Sequence, residues 1–451
     1  MKKLSFIILT SIFCILIGGC SKEWLEKKQD VKLLVPTTLN DLDMLLNTGF
    51  DDDGRGATEN STDEAEYTLD QFNELDYSFQ RSLATWRVTL FEQISPDQNE
   101  WDIAYKQIQI CNVVLKTLEK INRTNENSNL YDRIKGTALY QRSRQFLNLA
   151  MTFCKYYDPT SATKDLGIVL KLSNETDEPI KRASLEKTYQ TIIEDLKLAS
   201  LLLPTQKLSY THIARGGAYA LLARALLFMD KYQEAGAAAD SSYKYHSFIE
   251  DYNTINSTPS RPLNIQSKEM HIPVNPSMAV SYPTTGRINE ELYNSYDQND
   301  LRKILFFKKE TDGKFSFRGH YLPALFSGTS TPEVLLLSAE CRVRLGDTNG
   351  AMGRLNQLLE KRFRTGTFMP FQIQNKDEAL EIILKERRKE LLTRCLRWQD
   401  LKRLNRDPRY SKTLERKIGT QTFVLAPNDP RYVLPIPQYI IDYNGIEQNK
   451  Y

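Results

Sequence analysis

Apolar residues recur every three or four positions along most of the chain, and this period predicts amphipathic helices. Thr38 can cap a short helix over residues 39–47, whose sequence is LNDLDMLLN. The three longest helical patterns cover residues 101–121, 133–157 and 184–203. Together these patterns predict a mostly α-helical fold.

Two later segments each contain two alanines that lie twelve positions apart. The pairs are Ala223 and Ala235 within residues 216–245, and Ala339 and Ala351 within residues 333–360. This spacing is typical of tetratricopeptide units, in which small residues let two antiparallel helices cross closely. A generic helical hairpin is the alternative for either unit alone. We predict tetratricopeptide-like units within residues 133–245 and 331–364, which must stack to bury their apolar faces.

The helical pattern breaks between residues 250 and 330, where prolines are frequent and apolar runs are short. Long irregular segments in a compact protein are usually functional or disordered. The aromatic residues of this segment, among them Tyr282, Phe315, Phe317 and Tyr321, favour order. We therefore predict a loop-rich insertion over residues 250–330 within a single domain that spans residues 39–451.

The chain begins with a short basic segment followed by a mostly apolar one. Lys2 and Lys3 precede a 14-residue stretch at positions 4–17, and two glycines follow it. As a helix this stretch would extend about 21 Å, which is less than the roughly 30 Å hydrocarbon core of a bilayer. The arrangement is typical of a secretory signal, which we place at residues 1–19. No later segment approaches the roughly 18 consecutive apolar residues that a membrane span requires.

A cysteine closes the predicted signal segment. The motif Ile17-Gly-Gly-Cys20 resembles a bacterial lipobox, in which the cysteine receives a diacylglycerol before the signal is removed. The resemblance implies that Cys20 is the acylated first residue of the mature chain and that residues 20–38 form a tether. Two or more acyl chains anchor a protein stably, whereas one does not. Residues 21–23 resemble the charged export tag of surface-exposed lipoproteins. A plain signal peptide with an incidental cysteine is the alternative.

The distribution of charge argues against nucleic acid as a partner. The chain has 60 basic and 57 acidic residues, which are mixed along its length and give a formal net charge of +3. A nucleic-acid-binding domain would instead concentrate its basic residues in a patch or stripe. We therefore expect no nucleic-acid partner.

Four cysteines follow Cys20 in the predicted mature chain: Cys111, Cys154, Cys341 and Cys395. Each lies in a helical pattern and none belongs to a CxxC pair, so we expect buried free thiols. One disulfide is the alternative in an extracytoplasmic compartment. With only four scattered histidines, a Cys/His zinc site is not expected.

The sequence contains no HExxH, GxSxG or P-loop pattern. Asp51 and Asp53 hint at a calcium-binding loop. However, Arg55 occupies a ligand position and Thr62 stands where the closing glutamate belongs. We therefore expect residues 50–66 to form a solvated loop. The prediction is a non-enzymatic protein with no catalytic residue, no metal site and no cofactor.

A dense set of charged residues lies at helical spacing near the C-terminus. It comprises Arg387, Arg388, Glu390, Arg394, Arg397 and Arg403. Opposite charges three or four positions apart lie side by side on a helix. We predict a salt-bridged pair of structural helices, with an anion-binding site as the alternative.

Several sequence blocks, in the same order, resemble the SusD/RagB family of outer-membrane nutrient-binding lipoproteins over nearly the whole mature chain. They include PTTLNDLDMLLN at 36–47, EWDIAYKQIQICN at 100–112, YQRSRQFLNL at 140–149 and DLGIVL at 165–170. The most specific block is ERRKELLTRCLRWQDLKR at 386–403. The chain ends in QNKY, where family members often end near a QNPGY-like run, so Lys450 replaces the usual Pro-Gly.

The resemblance implies a helical scaffold of about four tetratricopeptide-like units with a looped, ligand-binding face formed by the insertion. It also implies capture of an oligosaccharide and its delivery to a SusC-like TonB-dependent transporter in the outer membrane. Peptide capture for the same kind of transporter is the first alternative, because some members bind peptide. A tetratricopeptide-type adaptor for protein partners is the second, which an anchor at Cys20 disfavours.

Sugar recognition places aromatic rings against the apolar faces of pyranose rings, with polar groups beside them for the hydroxyls. Trp101 and Trp398 belong to structural blocks of the family and are expected in the core, which leaves Trp86 as a candidate. In starch-binding members a T-D-E run precedes a stacking aromatic residue, and TDEAEY at 62–67 is similar. The resemblance therefore implies that Tyr67 stacks on ligand and that Asp63 accepts hydrogen bonds from its hydroxyls.

Three further candidates lie in the predicted insertion. Tyr282 is placed where starch-binding members carry additional stacking aromatic residues, and Arg287 and Tyr321 are the other two. Packing in the core or within a loop is the alternative for Tyr67, Trp86 and Tyr282.

Overall fold

A computed structural model describes residues 36–47, 56–75, 78–88, 99–175, 180–264, 266–276, 285–321 and 325–451. The predicted signal segment, Cys20 and most of the predicted tether lie outside the described residues, as does Trp24. Residues 38–451 form one compact unit.

Fifteen helices lie within the described residues, and they make up most of the regular structure, which confirms the mostly helical prediction. They are α1 Leu39–Asn47, α2 Leu69–Asn73, α3 Ser78–Ala84, α4 Glu100–Leu118, α5 Ser128–Phe153, α6 Leu185–Leu202, α7 Arg215–Leu227, α8 Tyr232–Tyr245, α9 Glu290–Asn294, α10 Arg302–Phe306, α11 Thr331–Arg344, α12 Thr348–Leu359, α13 Lys376–Glu390, α14 Arg397–Leu404 and α15 Gln438–Asn444.

Eight short strands form four separate two-stranded antiparallel sheets within the described residues. The pairs are β1 Ala65–Glu66 with β4 Arg287–Ile288, β2 Leu166–Val169 with β3 Arg182–Ser184, β5 Phe307–Lys309 with β6 Phe315–Phe317, and β7 Leu414–Ile418 with β8 Gln421–Leu425. The first of these sheets joins two segments that are more than 200 positions apart in the chain. The short strands therefore connect distant parts of a helical protein.

Side-chain caps fix the starts of three helices where the sequence predicts them. The side chains of Thr38, Asn99 and Ser184 accept hydrogen bonds from backbone N–H groups three residues later, at 3.2, 2.9 and 3.1 Å. Each cap satisfies an N–H group that has no partner inside its helix. The predicted starts of α1, α4 and α6 are thereby confirmed.

Helix α5 differs from the predicted helix at both ends. It runs from Ser128 to Phe153, whereas the pattern predicted residues 133–157. It starts earlier because the turn before residue 133 packs Leu130 against the cluster around α1. It ends earlier because Lys402 donates hydrogen bonds to the carbonyl oxygens of Met151 and Cys154 at 2.9 and 2.7 Å. A lysine some 250 positions away thus caps the helix, which sequence periodicity does not reveal.

Most of the helices pack on their neighbours in chain order and enclose one large hydrophobic core. Helices α4 to α8 contact one another in sequence, α8 contacts α11, and α11 contacts α12 and α13. The four alanines with the twelve-residue spacing are fully buried: Ala223, Ala235, Ala339 and Ala351. A Cβ atom added at Gly236 in α8 would lie 3.2 Å from Cys341 in α11, so these two helices approach closely. The spacing therefore marks buried positions on helices α7, α8, α11 and α12, while the tetratricopeptide-like repeat itself stays a prediction.

The segment from 250 to 330 contains helices α9 and α10 and strands β4 to β6, joined by irregular chain. Its buried residues form a second hydrophobic cluster that is rich in aromatic rings. Phe306, Phe317 and Tyr321 are buried in this cluster, and Phe315 packs against it. Of the aromatic residues named for this segment, Tyr282 lies outside the described residues.

Buried ion pairs join this segment to the helical scaffold. The guanidinium group of Arg302 contacts the carboxylates of Glu386 and Glu390 at 2.6 and 3.1 Å. Arg362 contacts Glu390 at 2.9 Å and Glu269 at 2.7 Å. Removing one partner of such a buried pair leaves an uncompensated charge and costs about 3–5 kcal/mol. These pairs therefore fix the position of the segment on helix α13.

The arginine-rich block at 386–403 is part of the same kind of network. Arg387 contacts Asp400 at 2.8 Å, and Arg403 contacts Asp400 at 2.8 Å and Glu340 of α11 at 2.8 Å. These are contacts between α13, α14 and α11 inside the protein. The prediction of a salt-bridged pair of structural helices is confirmed.

The prediction of a solvated loop at residues 50–66 is wrong for the part that the structure describes. Residues 57–61 form a 3-10 turn, and the side chains of Glu59, Thr62 and Glu64 are buried. The backbone N–H of Ala57 donates to the carboxylate of Glu100 at 2.7 Å. The acidic, glycine-containing composition suggested solvent exposure, but distant residues cover this segment.

Cys111, Cys154, Cys341 and Cys395 are buried free thiols, as predicted. Burial raises the pKa of each of the thiols of Cys111, Cys154 and Cys341. These cysteines therefore contribute small apolar side chains to the core. None of the helices described above is both long and apolar enough to cross a membrane.

Candidate ligand-binding site

The rings of two predicted site residues, Tyr67 and Trp86, both lie close to the guanidinium group of the buried Arg416. The guanidinium group of Arg416 lies 5.7 Å from the ring centre of Tyr67 and 5.2 Å from that of Trp86. Arg416 also donates hydrogen bonds to the carbonyl oxygens of Asn60, at 3.1 Å, and of Thr62. Strand β7 thus supplies the cation that holds the 57–67 segment in place.

Asp63 forms ion pairs with three basic side chains from the C-terminal part of the chain. Its carboxylate accepts hydrogen bonds from Arg397 at 2.7 and 2.9 Å, from Arg388 at 3.1 Å and from Lys412 at 3.0 Å. Burial alone would raise the pKa of Asp63, but the charges of Arg397 and Arg388 outweigh burial and lower this pKa well below its ordinary value. The predicted role of Asp63 as an acceptor for ligand hydroxyls is therefore replaced by a structural one.

Three predicted aromatic residues are buried in the structure. Tyr67 and Trp86 are 5% and 4% exposed, and the indole N–H of Trp86 donates to the carbonyl oxygen of Ser61 at 2.9 Å. Tyr321 is also buried, and its hydroxyl donates to Glu269 at 2.9 Å. A stacking residue must present one ring face to the ligand, and these rings present none. All three rings are therefore packed in the core, which is the alternative that the sequence left open for Tyr67 and Trp86.

Arg287 lies partly exposed on a polar strip. Strands β1 and β4 place it directly opposite Glu66, and its side chain contacts Asp312 at 2.8 Å. Lys314 contacts Glu66 at 3.2 Å on the same strip. Arg287 therefore stays a candidate ligand contact. Tyr282, the remaining candidate, lies outside the described residues.

A surface groove of about 550 Å³ lies next to the buried layer formed by Trp86 and Arg416. We name it the Phe72 groove. Its lining residues are Leu69, Phe72, Asn73, Ser78, Arg81, Ser82, Thr85, Arg87, Ile418, Gly419, Thr420, Gln421 and Phe423. Thr85 and Arg87 flank Trp86 in the chain, and Ile418 ends the strand that carries Arg416. The predicted residues thus form the support beneath the groove.

Helix α2 and the β7–β8 hairpin form walls of the Phe72 groove, and each begins or turns at a recognisable sequence pattern. Thr68 and Gln71 form a capping box that starts α2, with hydrogen bonds of 3.2 and 3.0 Å. The β7–β8 hairpin closes through a two-residue turn in which Gly419 has a φ of 58°. A Cβ atom at Gly419 would lie 3.5 Å from the side chain of Leu69, so the hairpin turn and α2 are in contact.

The groove combines aromatic rings with hydrogen-bonding side chains. Phe72 and Phe423 are half-buried, and Leu69 is 51% exposed. The guanidinium group of Arg87 lies 5.9 Å from the ring centre of Phe423. Half-buried rings keep one face available, and amide, hydroxyl and guanidinium groups can bond to sugar hydroxyls. This arrangement can hold a saccharide by stacking and hydrogen bonding.

Within the described residues, no group of three or more His, Cys, Asp or Glu side chains could hold a metal ion. The buried histidine of the scaffold, His271, contacts Thr329 at 3.0 Å and the ring of His246 at 4.7 Å. Burial lowers the pKa of His271 well below its ordinary value. His271 therefore behaves as a packed core residue, whereas His246 is half-buried and contacts the carbonyl oxygen of Lys268 at 2.6 Å.

Phe72 and Phe423 are not among the residues predicted from the sequence, because neither is a tryptophan and neither belongs to the TDE run. Two local signals could have identified them. The capping-box pattern Thr68-x-x-Gln71 predicts the short helix that carries Phe72. The alternating stretch around Gly419 predicts the hairpin that carries Phe423. Neither signal predicts that α2 and the β7–β8 hairpin lie in contact.

Two family profiles match the chain. One, a SusD-like profile described as "Starch-binding associating with outer membrane", matches residues 23–227. The other, described as "SusD family", matches residues 331–451. Between them they cover most of the sequence, including the walls of the Phe72 groove. No curated protein matches the sequence significantly.

Several solved structures share the fold. A putative sugar binding protein from Bacteroides vulgatus has a TM-score of 0.74 at 19% identity, covering 92% of this chain and 99% of its own. A SusD superfamily protein from Bacteroides thetaiotaomicron has a TM-score of 0.71 at 21% identity, with 92% and 100% coverage. A SusD-like carbohydrate binding protein from Bacteroides vulgatus has a TM-score of 0.67 at 17% identity, with 91% and 97% coverage. At these identities the similarity shows the fold.

Proposed function

Because the chain belongs to the SusD/RagB family, we propose that it captures an oligosaccharide at the cell outer membrane and delivers it to a SusC-like TonB-dependent transporter. The family profile that matches the N-terminal half is described as starch-binding and associated with the outer membrane. Two of the structural neighbours carry sugar or carbohydrate binding in their descriptions. These descriptions support a carbohydrate as the ligand.

The observation that carries the proposal is the lining of the Phe72 groove. The half-buried rings of Phe72 and Phe423 line the groove, and Gln421, Asn73 and Ser82 add polar groups to the same lining. A volume of about 550 Å³ lies within the range of small-molecule sites, roughly 300–1,000 Å³. The groove therefore has the size and the chemistry to hold a short saccharide segment.

Capturing a ligand and passing it to a transporter requires reversible binding and no covalent step. The groove lining contains no carboxylate pair of the kind that a glycosidase uses to protonate and attack a glycosidic bond. We accordingly propose a binding protein, in keeping with a sequence that contains no HExxH, GxSxG or P-loop pattern.

Lipid attachment at Cys20 is the proposed means of membrane association. Acylation at that position would hold the chain at the bilayer, and the residues that follow would act as a tether. Delivery to a transporter in the same membrane then requires only local contact, because anchoring raises the effective concentration of the captured ligand near the transporter.

Peptide capture for the same kind of transporter is the second candidate. Arg81 and Arg87 are the charged residues of the groove lining, and no carboxylate lies among the lining residues. Guanidinium groups bind carboxylates strongly, and this favours a ligand that carries negative charge, such as an acidic glycan or the C-terminus of a peptide.

A binding panel distinguishes these candidates. The complete chain, solubilised in detergent, is titrated with neutral oligosaccharides, acidic oligosaccharides and short peptides, and labelled samples of each are checked for cleavage. The proposal predicts saturable binding of at least one oligosaccharide class and no cleavage. Binding of peptides alone would support the second candidate, and cleavage of any substrate would contradict both.

A further inference from the structure

A groove of about 330 Å³ lies at the start of helix α7 and shares no lining residue with the Phe72 groove. We name it the Lys207 groove. Its lining comes from the connection between α6 and α7, from the first turn of α7, and from the chain between the end of α8 and His271. The volume is at the small end of the roughly 300–1,000 Å³ range of small-molecule sites. The groove therefore has room for a ligand about the size of a single sugar ring.

The Lys207 groove contains basic side chains and, among its described lining residues, no Asp or Glu. Lys207 is half-buried, and its ammonium group donates to the carbonyl oxygen of Met270 at 3.1 Å. No carboxylate of the described residues forms an ion pair with it. Burial lowers the pKa of Lys207 to about 8, because the charged form is partly removed from water. The groove thus contains a partly desolvated cation for which the described part of the chain supplies no counter-ion.

The hydrogen-bond donors of the groove suit a phosphate or sulfate group. An ammonium group has three N–H donors, so Lys207 keeps two after its bond to Met270. Lys268, which is exposed, also lines the groove and forms no ion pair with the described residues. No arginine lies among the described lining residues. Arginine matches planar carboxylates through its fork, whereas lysine binds phosphate as a point charge, so the lysines favour a tetrahedral oxyanion.

The start of helix α7 adds to the positive potential of the groove. Ala214, Gly216 and Gly217 line it, and Ala214 provides no side-chain cap for the helix. The N-terminal end of a helix carries a partial positive charge that favours anions. In α7 this end therefore acts in the same direction as the two lysines.

Aromatic rings and amide groups complete the lining. Tyr210 and Phe248 are 48% and 43% exposed, and Tyr245 is half-buried. Gln206 and Gln266 line the same groove and carry both donors and acceptors. Exposed rings beside hydrogen-bonding side chains are the combination that recognises a sugar. The groove therefore pairs an anion-binding group of cations with a surface for a sugar ring.

We propose that the Lys207 groove is a second binding site, and that it takes a small sugar that carries a phosphate or sulfate ester. The ester oxygens contact the ammonium groups of Lys207 and Lys268, and the sugar ring contacts Tyr210. This site is separate from the Phe72 groove and does not depend on the nutrient that binds there.

The test is calorimetric titration of the complete, detergent-solubilised chain with D-glucose 6-phosphate and D-glucose 6-sulfate. D-glucose is the neutral match, and inorganic phosphate is the bare anion. At least one ester is expected to bind saturably, with inorganic phosphate binding more weakly and glucose not measurably. The proposal is overturned if neither ester binds to the folded chain, or if glucose or inorganic phosphate binds as tightly as the better ester.

Lys207→Met should weaken binding of the better ester at least tenfold, because a charge-assisted hydrogen bond is lost. Lys197→Met, at an exposed position of α6 outside the lining, is the matched control and should bind like the parent chain. Tyr210→Ala removes an exposed ring. It should weaken binding of the ester about threefold to tenfold and leave binding of inorganic phosphate unchanged.

Unchanged ester binding in a folded Lys207→Met variant, or an equal loss in Lys197→Met, would overturn the proposal. If Lys207→Met fails to fold, the exposed positions decide the matter, and unchanged binding in both Lys268→Met and Tyr210→Ala would overturn it. Phe423→Ala, in the other groove, should bind the ester like the parent chain. This variant separates the result from any test of the Phe72 groove.

Discussion

The carboxylate of Asp63 and the guanidinium group of Arg397 form a two-bond fork, at 2.7 and 2.9 Å, across 334 positions of the chain. Arg397 belongs to the most specific sequence block of the family resemblance, and Asp63 lies in the run that suggested ligand binding. The fork thus joins the segment beside the Phe72 groove to the helical scaffold. The geometry assigns both residues to the support of the site.

Replacing Asp63 tests this assignment. Asp63→Asn removes the charge that three cations share, and we expect a loss of about 3 kcal/mol in the free energy of unfolding, since breaking a buried ion pair costs about 3–5 kcal/mol. Urea denaturation followed by circular dichroism measures it. Asp70→Asn, at an exposed position of α2, is the matched control and should change stability by less than about 0.5 kcal/mol. Equal stability of the two variants would show that the fork does not hold the segment.

Tyr67→Ala should act on stability in the same way. The ring is 5% exposed and lies over Arg416, so truncation leaves a cavity and is expected to cost about 3–5 kcal/mol, as for other buried aromatic residues. Ligand affinity per folded molecule should stay within about twofold. Thermal unfolding and titration of the same sample measure both quantities. A variant that melts like the parent chain but binds ligand poorly would restore Tyr67 as a stacking residue.

Glu340 gives a prediction for acid conditions. Burial would raise its pKa, but the charges of Arg403 and Arg344 lower it from 4.5 to about 2 in the folded protein. A carboxyl with a depressed pKa stabilises the fold above its unfolded pKa, and this contribution is lost as the pH falls from about 4.5 to 2. At about 1.4 kcal/mol per pKa unit the contribution is about 3 kcal/mol.

We therefore expect Glu340→Gln to be less stable than the parent chain at pH 7, with the difference shrinking between pH 4.5 and 2. Denaturation curves at pH 7, 4.5 and 3 measure this convergence. Glu381→Gln, whose partner Lys385 is exposed, is the control and should match the parent chain at every pH. A difference that stays constant with pH would contradict the assigned pKa.

Replacing Cys20, the proposed site of lipid attachment, tests the proposed anchor. Cys20→Ser removes the acceptor of the diacylglycerol, so the chain should no longer partition with the outer membrane. Fractionation of cells that express each form, followed by immunoblotting, measures this. Cys111→Ser, which changes a buried thiol of the scaffold, is the control and should leave the distribution unchanged. Retention of Cys20→Ser in the outer-membrane fraction would show that acylation at this position is not the anchor.

The helical fold and much of its internal chemistry were predictable from local sequence. Caps at Thr38, Asn99 and Ser184 act within one turn, and within the arginine-rich block the ion pair of Asp400 and Arg403 joins residues three positions apart. These features depend on residues that are close in the sequence. For the same reason the alanine spacing identified buried positions on four helices.

The ligand-site residues were not predictable in this way, because long-range contacts decide their exposure. Arg416 lies about 350 positions from Tyr67, and its guanidinium group converts an acidic, apparently solvated run into a buried segment. Trp86 is buried by the same contact. Sequence alone identified residues that lie beside the Phe72 groove, while the choice between a ring that supports a groove and a ring that lines it required the structure.

Titration of Phe423→Ala with the tightest ligand of the panel tests most directly whether the Phe72 groove binds the captured ligand. Tyr443→Ala removes an aromatic ring that is 89% exposed and lies outside the groove lining, and serves as the control. Loss of the apolar contact with one ring is expected to weaken binding about tenfold or more in Phe423→Ala, with Tyr443→Ala unchanged. Equal affinity of Phe423→Ala and the parent chain, with both folded, would contradict the account.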